Sequence, residues 1–544
     1  MGSLKSLLKI IPFIKKYRLF FCIGIAGTIL CSAVSVPIPY FIGYILDNVV
    51  EGSKSYKELY YYIGLIALLY VLRYAISFAA QYIFAKVSNE VTNEMRYSVI
   101  SKVLDLPMSY LSNTEKGYIQ SRIGECGNVS VVFSPSNIGL LLGLVDAVAA
   151  AIAMFSLNFK LALVTVILSP VFYFSSKASA GGFMKVTHQM MESNAVLNGE
   201  CFEIINGIED IKVLNGKENQ LKRFKSKLDD LVKKSIKQSK SILVFIENIT
   251  IANNMGTLII LLIAAILIIK GQFTIGLYTS FSLYIGRVFG ASQGLATVGT
   301  TIKPACLSIE RLYELLDMKG ENEGKTEILE SNIDSIKVEN VSFRYNSNTK
   351  NVINSLNFEI SKGEKVLLRG ENGSGKSTLI KLLVGLYTPE EGKILFNDKD
   401  LSTINNKSLR DRIGIVSQSI FLFRGTVLDN ILYGQNQKKR EDVELLIKQL
   451  NLDSYIKRLP NGLDSEISQN TAGVSGGQAQ VIAFVRAMLL NKDIVILDEP
   501  ISNVDVETRD IVLNILKNNE FKGILIVVSH IVDNMEFINK VIEF

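Results

Sequence analysis

Long apolar runs confined to residues 1–330 of this 544-residue chain decide most of what that half can become. Six stretches stand out: Leu19–Leu46, Leu59–Phe84, Ile138–Leu157, Leu161–Phe174, Leu258–Ile269 with an upstream extension from Leu243, and Leu277–Val298. A hydrocarbon core about 30 Å thick needs about 20 apolar residues in a helix, and each stretch meets or approaches that length. The fourth and fifth have the shortest apolar cores. Only Asn158–Lys160 separates the third stretch from the fourth, and only Lys270–Ile275 the fifth from the sixth, so neither joint holds a domain.

Charge agrees with spans rather than with the buried helices of a soluble protein. Residues 1–330 carry 32 Lys+Arg against 25 Asp+Glu, whereas residues 331–544 carry 26 against 27. Lys5, Lys9, Lys15, Lys16 and Arg18 precede the first run, and twelve Lys/Arg lie in 177–240, while the opposite-side loops hold one or two each. The amino terminus, the 85–135 loop, the 177–242 loop and the carboxyl half therefore share the cytoplasmic face. The first run is too long for a cleaved signal peptide and has no small-residue cleavage site. Residues 86–125 and 184–242 read as charged helices, and about 30–35 helical residues reach about 45–50 Å beyond a bilayer. Residues 3–16 read as an amphipathic helix lying on the membrane, with only about 18 residues before the first span and no room there for a peptidase domain.

With 48% apolar residues the chain is not disordered. Its five cysteines have no C-x-x-C spacing, which excludes a disulfide scaffold and a cysteine-rich zinc site. Its two histidines, His188 and His530, cannot build a multi-histidine metal centre, and His188 reads as a solvated helix residue. A net charge of +6 is too mild to argue for nucleic acid.

Beyond residue 330 the pattern turns to α/β. Ile336–Tyr345 and Val352–Ile360 alternate like strands. Lys365–Arg369 then leads into Gly370-Glu371-Asn372-Gly373-Ser374-Gly375-Lys376-Ser377-Thr378, a G-x-x-x-x-G-K-S loop set before the helical run Leu379–Leu386. Such glycines let backbone N–H groups close around phosphate oxygens, and the helix start adds a favourable dipole. Lys376 is the candidate for the β- and γ-phosphates and Ser377 for Mg2+. A second apolar strand, Asp493–Leu497, ends in Asp498-Glu499-Pro500, carboxylates aimed at the ligand crevice of a parallel sheet. Asp498 is a candidate Mg2+ holder and Glu499 a candidate general base.

Between those motifs lies Val474-Ser475-Gly476-Gly477-Gln478. The set resembles the signatures of the ATP-binding cassette (ABC) family, and six spans followed by one cassette is similar to a half-size ABC exporter over nearly the whole chain. Looser matches in the membrane half are Tyr110-Leu111 before Lys116-Gly117 and Ser121-Arg122-Ile123, and Glu203–Ile208 before Ile211-Lys212. The expected fold is an all-α six-helix transmembrane domain (1–310), a linker (311–333) and an α/β P-loop nucleotide-binding domain (334–544).

The resemblance implies ATP and Mg2+ as cofactors. It places Gly370, Asn372, Gly373, Ser374, Gly375, Lys376, Ser377 and Thr378 on the phosphates and Tyr345 on the adenine. Gln418, in Val416-Ser417-Gln418, would contact Mg2+ and sense the membrane half, and His530, after Val528-Ser529, the γ-phosphate. Glu499, His530 and Gln418 form the implied catalytic set, and Ser377, Gln418 and Asp498 the metal set. Ser475, Gly476, Gly477 and Gln478 would face the phosphate loop of another cassette, and Asp505 would sit at the contact between the two. One cassette cannot complete a site, so a second half-transporter is implied, identical or different. The expected activity is ATP-driven export from the plasma (cell inner) membrane by alternating access, with the cassette in the cytoplasm. Motion would pass through turns near Ser112–Lys116 and Ile208–Asn215. An ATP-gated channel or regulator, and a soluble cassette ATPase, are the rival classes.

Several positions depart from the family pattern. Val474 stands for leucine, Asn470-Thr471-Ala472 for Glu-Arg-Gly, Val481 after Gln480 for arginine, and Asn503-Val504 for Ala-Leu. The missing Glu-Arg pair bears on the contact to the cytoplasmic loops and leaves the hydrolytic residues untouched. Ionisable residues within the spans, Arg73, Asp146, Glu247 and Arg287, are candidates for the cargo pathway or for intramembrane pairing. Peptides, lipids and amphiphilic drugs all remain as cargo.

Overall fold

The computed structural model describes residues 8–114, 116–346, 350–435, 437–468, 474–489, 492–501, 505–518, 521–529 and 535–544. The chain divides into two compact units, Met1–Leu104 with Glu115–Met318, and Asp105–Thr114 with Lys319–Phe544.

The first unit is helical throughout, as apolar runs must be where no water is present to satisfy backbone amides. Helix α1 (Arg18–Ser35) passes into Pro37–Tyr44 at a proline that cannot donate to the ladder. Then follow α2 (Tyr56–Asp105), α3 (Pro135–Leu157), α4 (Phe159–Asn206), α5 (Lys217–Ile269) and α6 (Ile275–Leu316). Among the described residues four helical stretches are long and apolar enough to cross a membrane: Arg18–Ser53, Tyr56–Asp105, Gly117–Leu157 and Lys217–Ile269. The fourth and sixth predicted spans fall on α4 and α6, and the described apolar part of α4 is Phe159–Leu168.

Helix α2 has 50 residues, a length of roughly 75 Å, which exceeds a bilayer core by roughly 45 Å. The predicted cytoplasmic helices are thus largely extensions of α2, α4 and α5. A separate helix, Lys116–Ser130, carries the return of the first loop. Short helices Met108–Asn113 and Ile208–Val213 stand at the two turns.

Local chemistry sets the joints. Asn158 alone separates α3 from α4, and its Oδ1 accepts the Leu161 N–H at 3.1 Å. Thr274 caps α6 by accepting from Leu277 N–H at 3.2 Å, and its hydroxyl donates to Asp47 Oδ2 at 2.5 Å. Asp47 Oδ1 also accepts the Gly276 N–H at 2.7 Å. A β-carbon on Gly276 would stand 2.2 Å from the Gly43 carbonyl oxygen, so this crossing tolerates only glycine there.

Two apolar clusters fill the unit. Phe281, Tyr284 and Ile285 of α6 pack with Met154, Leu161 and Ile260. Ile10 joins Val91, Met95, Val99, Cys126 and Ile309, so the described part of the predicted amphipathic amino-terminal helix buries one residue in protein. Residues 3–7 of that prediction lie outside the described residues. Between α4 and α5, the fully buried Glu200 carboxylate is held by Lys227 and by Arg223 at 3.1 Å.

Among the described residues the second unit holds three sheets, the smallest an antiparallel pair of β7 (Gly425–Thr426) and β8 (Glu466–Ile467). Strands β1 (Ser335–Phe343), β2 (Ile353–Ser361), β4 (Glu391–Phe396) and β5 (Lys399–Asp400) form an antiparallel sheet in the order 2-1-4-5. Strands β3 (Lys365–Arg369), β6 (Ile413–Val416), β9 (Ile494–Asp498), β10 (Ile524–Val528) and β11 (Lys540–Glu543) form a parallel sheet in the order 11-3-10-9-6. β9 and β10 are buried at every position, as a sheet covered on both faces requires. Alternate side chains go to two cores: Leu367, Val495, Leu497, Leu525 and Val527 to one, Val366, Leu368, Ile494, Ile496 and Ile526 to the other. The first core is covered by α8 (Gly476–Met488) and the second by α7 (Lys376–Leu383).

Residues Asp105–Thr114 belong to this unit although the flanking helices do not. Glu321 N–H donates to the Asp105 carbonyl at 2.7 Å, and Met108 packs against the α7-side core.

Candidate functional site

The carboxyl ends of the parallel strands bring the predicted phosphate-binding residues together. β3 ends at Arg369, and the chain turns through Gly373 (φ +85°) and Gly375 (φ +107°) into α7. At Gly375 a β-carbon would also stand 2.9 Å from the Val352 carbonyl oxygen. The left-handed backbone and the tight space together demand glycine there. Lys376 is buried and folds back across its own loop, donating from Nζ to the carbonyls of Gly370 (2.9 Å) and Glu371 (2.7 Å).

Beside the loop, β9 ends in a buried Asp498 followed by Glu499, which adopts φ +52° and whose N–H donates to the Val528 carbonyl at 2.9 Å. Burial pushes the Asp498 carboxyl above the usual aspartate range; Glu499 adds to this, and the Ser377 hydroxyl and Lys376 oppose it. Asp498 Oδ1 and Ser374 Oγ are buried with no hydrogen-bond partner among the described residues. The orphaned Asp498 oxygen, with the Ser377 hydroxyl beside the same carboxyl, is a hard-oxygen donor set that fits Mg2+. Gln418 lies on the same side and donates from Nε2 to Glu499 Oε2 at 3.1 Å.

Tyr345 flanks α7. Its hydroxyl lies 3.0 Å from Thr378 Oγ1, Lys381 Nζ stands 5.3 Å above its ring, and Phe343 and Tyr387 meet it edge-on at 5.1 and 5.3 Å. An aromatic face is thus pinned beside the phosphate loop.

The Val474–Gln478 segment opens α8. Ser475 Oγ accepts the Gln478 N–H at 3.2 Å, and Gln478 Oε1 accepts the Ser475 N–H at 2.8 Å, a reciprocal cap. The N–H groups of Gly476 and Gly477 then mark a helix start of the kind that receives phosphate. Val474 packs against the α8-side core, so this position keeps an apolar contact with valine in place of leucine. Asp505 accepts from Thr508 N–H (2.8 Å) and Thr508 Oγ1 (2.9 Å), which hold its carboxyl below the usual range.

Three partners escaped the sequence reading. Gln480, noted there only as a landmark, is buried and donates to the Pro500 carbonyl at 3.0 Å, linking α8 to the turn after Glu499. Thr508 holds Asp505, and Tyr455 OH meets Thr508 Oγ1 at 3.3 Å. A lone amide in the apolar stretch Ala479–Phe484, five residues past the Ser475 cap, was the available signal for Gln480. His530, Asn470-Thr471-Ala472 and Asn503-Val504 lie outside the described residues, as does the side chain of His188.

In the helical unit, three of the four predicted ionisable residues meet. Arg73 Nη2 stands 3.8 Å from Asp146 Oδ2, and Arg287 is bound to Ser35, which also contacts Asp146. Glu247 is exposed and forms no ion pair with them among the described residues.

The model of the ABC transporter transmembrane region matches residues 21–292, half of the chain, and the ABC transporter model matches residues 353–502. The Streptococcus pneumoniae transport/processing ATP-binding protein ComA is 27% identical over 93% of this chain and 70% of its own length. The Lactococcus lactis lactococcin-A transport/processing ATP-binding protein LcnC is 28% identical over 94% of this chain and 71% of its own. YgaD of Bacillus subtilis, named as a candidate multidrug export ATP-binding/permease protein, is 24% identical over 100% of this chain and 94% of its own. A solved bacterial Atm1-family ABC exporter with ATP bound shares the fold, with a TM-score of 0.83 and 20% identity over 97% of this chain and 93% of that one.

Proposed function

This chain belongs to the ABC transporter family, and we propose that it is an ATP-driven exporter in which ATP binding and hydrolysis at two cassettes of a dimer move cargo by alternating access. The observation that carries this reading is the meeting of the Gly370–Thr378 loop, the Ser377 hydroxyl, the orphaned Asp498 oxygen and Glu499 at the carboxyl ends of β3 and β9. A cassette built only to bind nucleotide has no need of a glutamate held beside a cation site.

Each residue then has a task. The loop amides and Lys376 neutralise phosphate charge, and Tyr345 offers its ring to adenine. Ser377 and Asp498, with Gln418 near, would hold Mg2+, which supplies charge stabilisation for phosphoryl transfer. Glu499 takes the proton of the attacking water. The start of α8 at Ser475–Gly477 completes the site of a second copy, and Asp505 stands at the seam between the two. His530 is assigned to the γ-phosphate from its place after β10.

Binding ATP between two cassettes favours their closed pairing, and hydrolysis removes the shared γ-phosphate. That difference in nucleotide affinity is all that can drive the helical unit. Motion passes along α2, α4 and α5 through the turns at Met108–Asn113 and Ile208–Val213. The membrane domain is assigned to 1–310, the linker to 311–333 and the cassette to 334–544, with the protein in the plasma membrane and the cassette in the cytoplasm. A homodimer is the simplest assembly, because this one chain carries both halves of a site; a different half-transporter is the other.

Relatives named for lactococcin-A transport and for multidrug export support a peptide or an amphiphile as cargo. The test is Glu499→Gln in liposomes. Trapped ATP and a turnover about 10²–10⁴-fold lower are expected. Unimpaired ATPase and transport would overturn the assignment.

A further inference from the structure

Ser35 on α1, Arg73 on α2, Asp146 on α3 and Arg287 on α6 each stand near the middle of a predicted span, and the fold brings all four to one place. Arg73 Nη2 is 3.8 Å from Asp146 Oδ2, and Ser35 Oγ donates to Asp146 Oδ1 at 3.4 Å. Arg287 donates from Nη1 to Ser35 Oγ at 3.1 Å and from Nη2 to the Ser35 carbonyl at 3.0 Å. Two guanidinium groups and one carboxylate therefore stand together, Arg73 beside Asp146 and Arg287 joined to it through Ser35. Unbalanced charge at the bilayer centre is costly, and a chain that keeps it there leaves room for an opposite charge from elsewhere.

An apolar surface continues from this cluster. The Arg73 side chain is 40% exposed and opens onto a shallow groove of about 600 Å³ along α2, lined also by Tyr70, Tyr74, Ser77, Phe78 and Tyr82. Tyr74 stacks on Phe78 at 6.4 Å between ring centres, and Phe78 on Tyr82 at 6.5 Å, at one helical turn per ring. The aromatic strip is exposed in the single chain.

We propose that the cluster and the strip form a binding site for an anionic amphiphile, with a carboxylate or phosphate head against Arg73 and Arg287 and an apolar body along Tyr74, Phe78 and Tyr82. As a cargo site it rests on the exporter reading above. The occupant follows from charge: a cationic or neutral amphiphile leaves the second arginine unbalanced, and an anionic one balances it. Asp146 then sets the strength of the site by competing with the ligand for Arg73.

The experiment uses the full chain in lipid nanodiscs of neutral phosphatidylcholine. Decyl phosphate, decyltrimethylammonium and decyl maltoside are titrated by calorimetry, and ATPase is followed in the same discs. The phosphate is expected to bind at least about tenfold tighter than the cation, and Arg73→Gln and Arg287→Gln to remove that preference. Asp146→Asn is expected to tighten the phosphate, a gain that a misfolded variant cannot give. Weaker decyl phosphate binding in discs carrying phosphatidylglycerol assigns the site to an acidic lipid headgroup; undiminished binding assigns it to a soluble amphiphile. Binding blind to charge, or loss of binding in Asp146→Asn alongside the arginine variants, overturns the site and leaves the groove as a seam for lipid or a second protomer. ATPase without charge selectivity sinks this inference alone, whereas charge-selective binding without ATPase keeps the site and sinks the exporter reading.

Discussion

Gly477 and Asp505 are pressed together: a β-carbon on the glycine would stand 2.8 Å from Asp505 Oδ2 and 2.7 Å from Thr508 Oγ1. The start of α8 and the turn before the Val506–Asn518 helix therefore share one fixed spacing. Gly477→Ala has to push Asp505 or Thr508 away, and overpacking of this kind costs about 1–3 kcal/mol. ATPase should fall sharply while ATP binding to the Lys376 loop of the same chain persists. Thermal unfolding together with binding of a fluorescent ATP analogue checks both parts.

Asp498 yields a prediction in pH. Its pKa in the folded chain is raised by burial above the ordinary aspartate value. The stability tied to its protonation is fully present below that ordinary value and is lost as pH rises through the raised one. At pH 7 without Mg2+ the ionised carboxylate is thus a burden, and Asp498→Asn should melt above the parent. The gap should shrink as pH falls toward the ordinary aspartate range. Adding Mg2+ and ATP should stabilise the parent more than the variant. Melting curves in chelator across that range decide it.

The two parts of Tyr345 are separable. Tyr345→Phe keeps the ring and removes the hydroxyl's contacts to Thr378 and Lys381, each with a net worth of about 0.5–1.5 kcal/mol. Tyr345→Ala also removes the ring held by Phe343 and Tyr387. Nucleotide affinity should drop several-fold more in the alanine variant, about tenfold below the parent. Equal affinities in equilibrium binding would remove Tyr345 from the adenine site.

The helix crossing at Gly43 and Gly276 makes a prediction for the membrane unit. Gly276→Ala places a methyl group against the Gly43 carbonyl and the Asp47 carboxylate. Detergent-solubilised protein should lose about 1–3 kcal/mol of stability. Nucleotide affinity should stay unchanged, since no cassette residue is touched. Heat-aggregation profiles beside ATP titrations test this.

What the chain reveals before folding is whatever its chemistry writes locally. The phosphate loop between β3 and α7 is legible because strand, glycines and helix are contiguous. Val366, Leu367 and Leu368 form an unbroken apolar run, and all three are buried in a sheet covered on both faces. Contacts made across long separations are not legible in that way. Nothing near Asp47 announces that it accepts from Gly276 and Thr274, and nothing near Gln480 announces Pro500. The intramembrane charges show the limit well. Four residues are equally conspicuous as letters, yet Arg73, Asp146 and Arg287 converge and Glu247 stands apart, because only helix packing decides which faces meet.

The short helix Met108–Asn113 has a consequence for biogenesis. A ribosome makes it long before Lys319 is polymerised, yet its compact partners all lie beyond that point. Until those residues are made, Met108 lacks the core it packs against in the finished chain, so this segment cannot complete its fold before the cassette does.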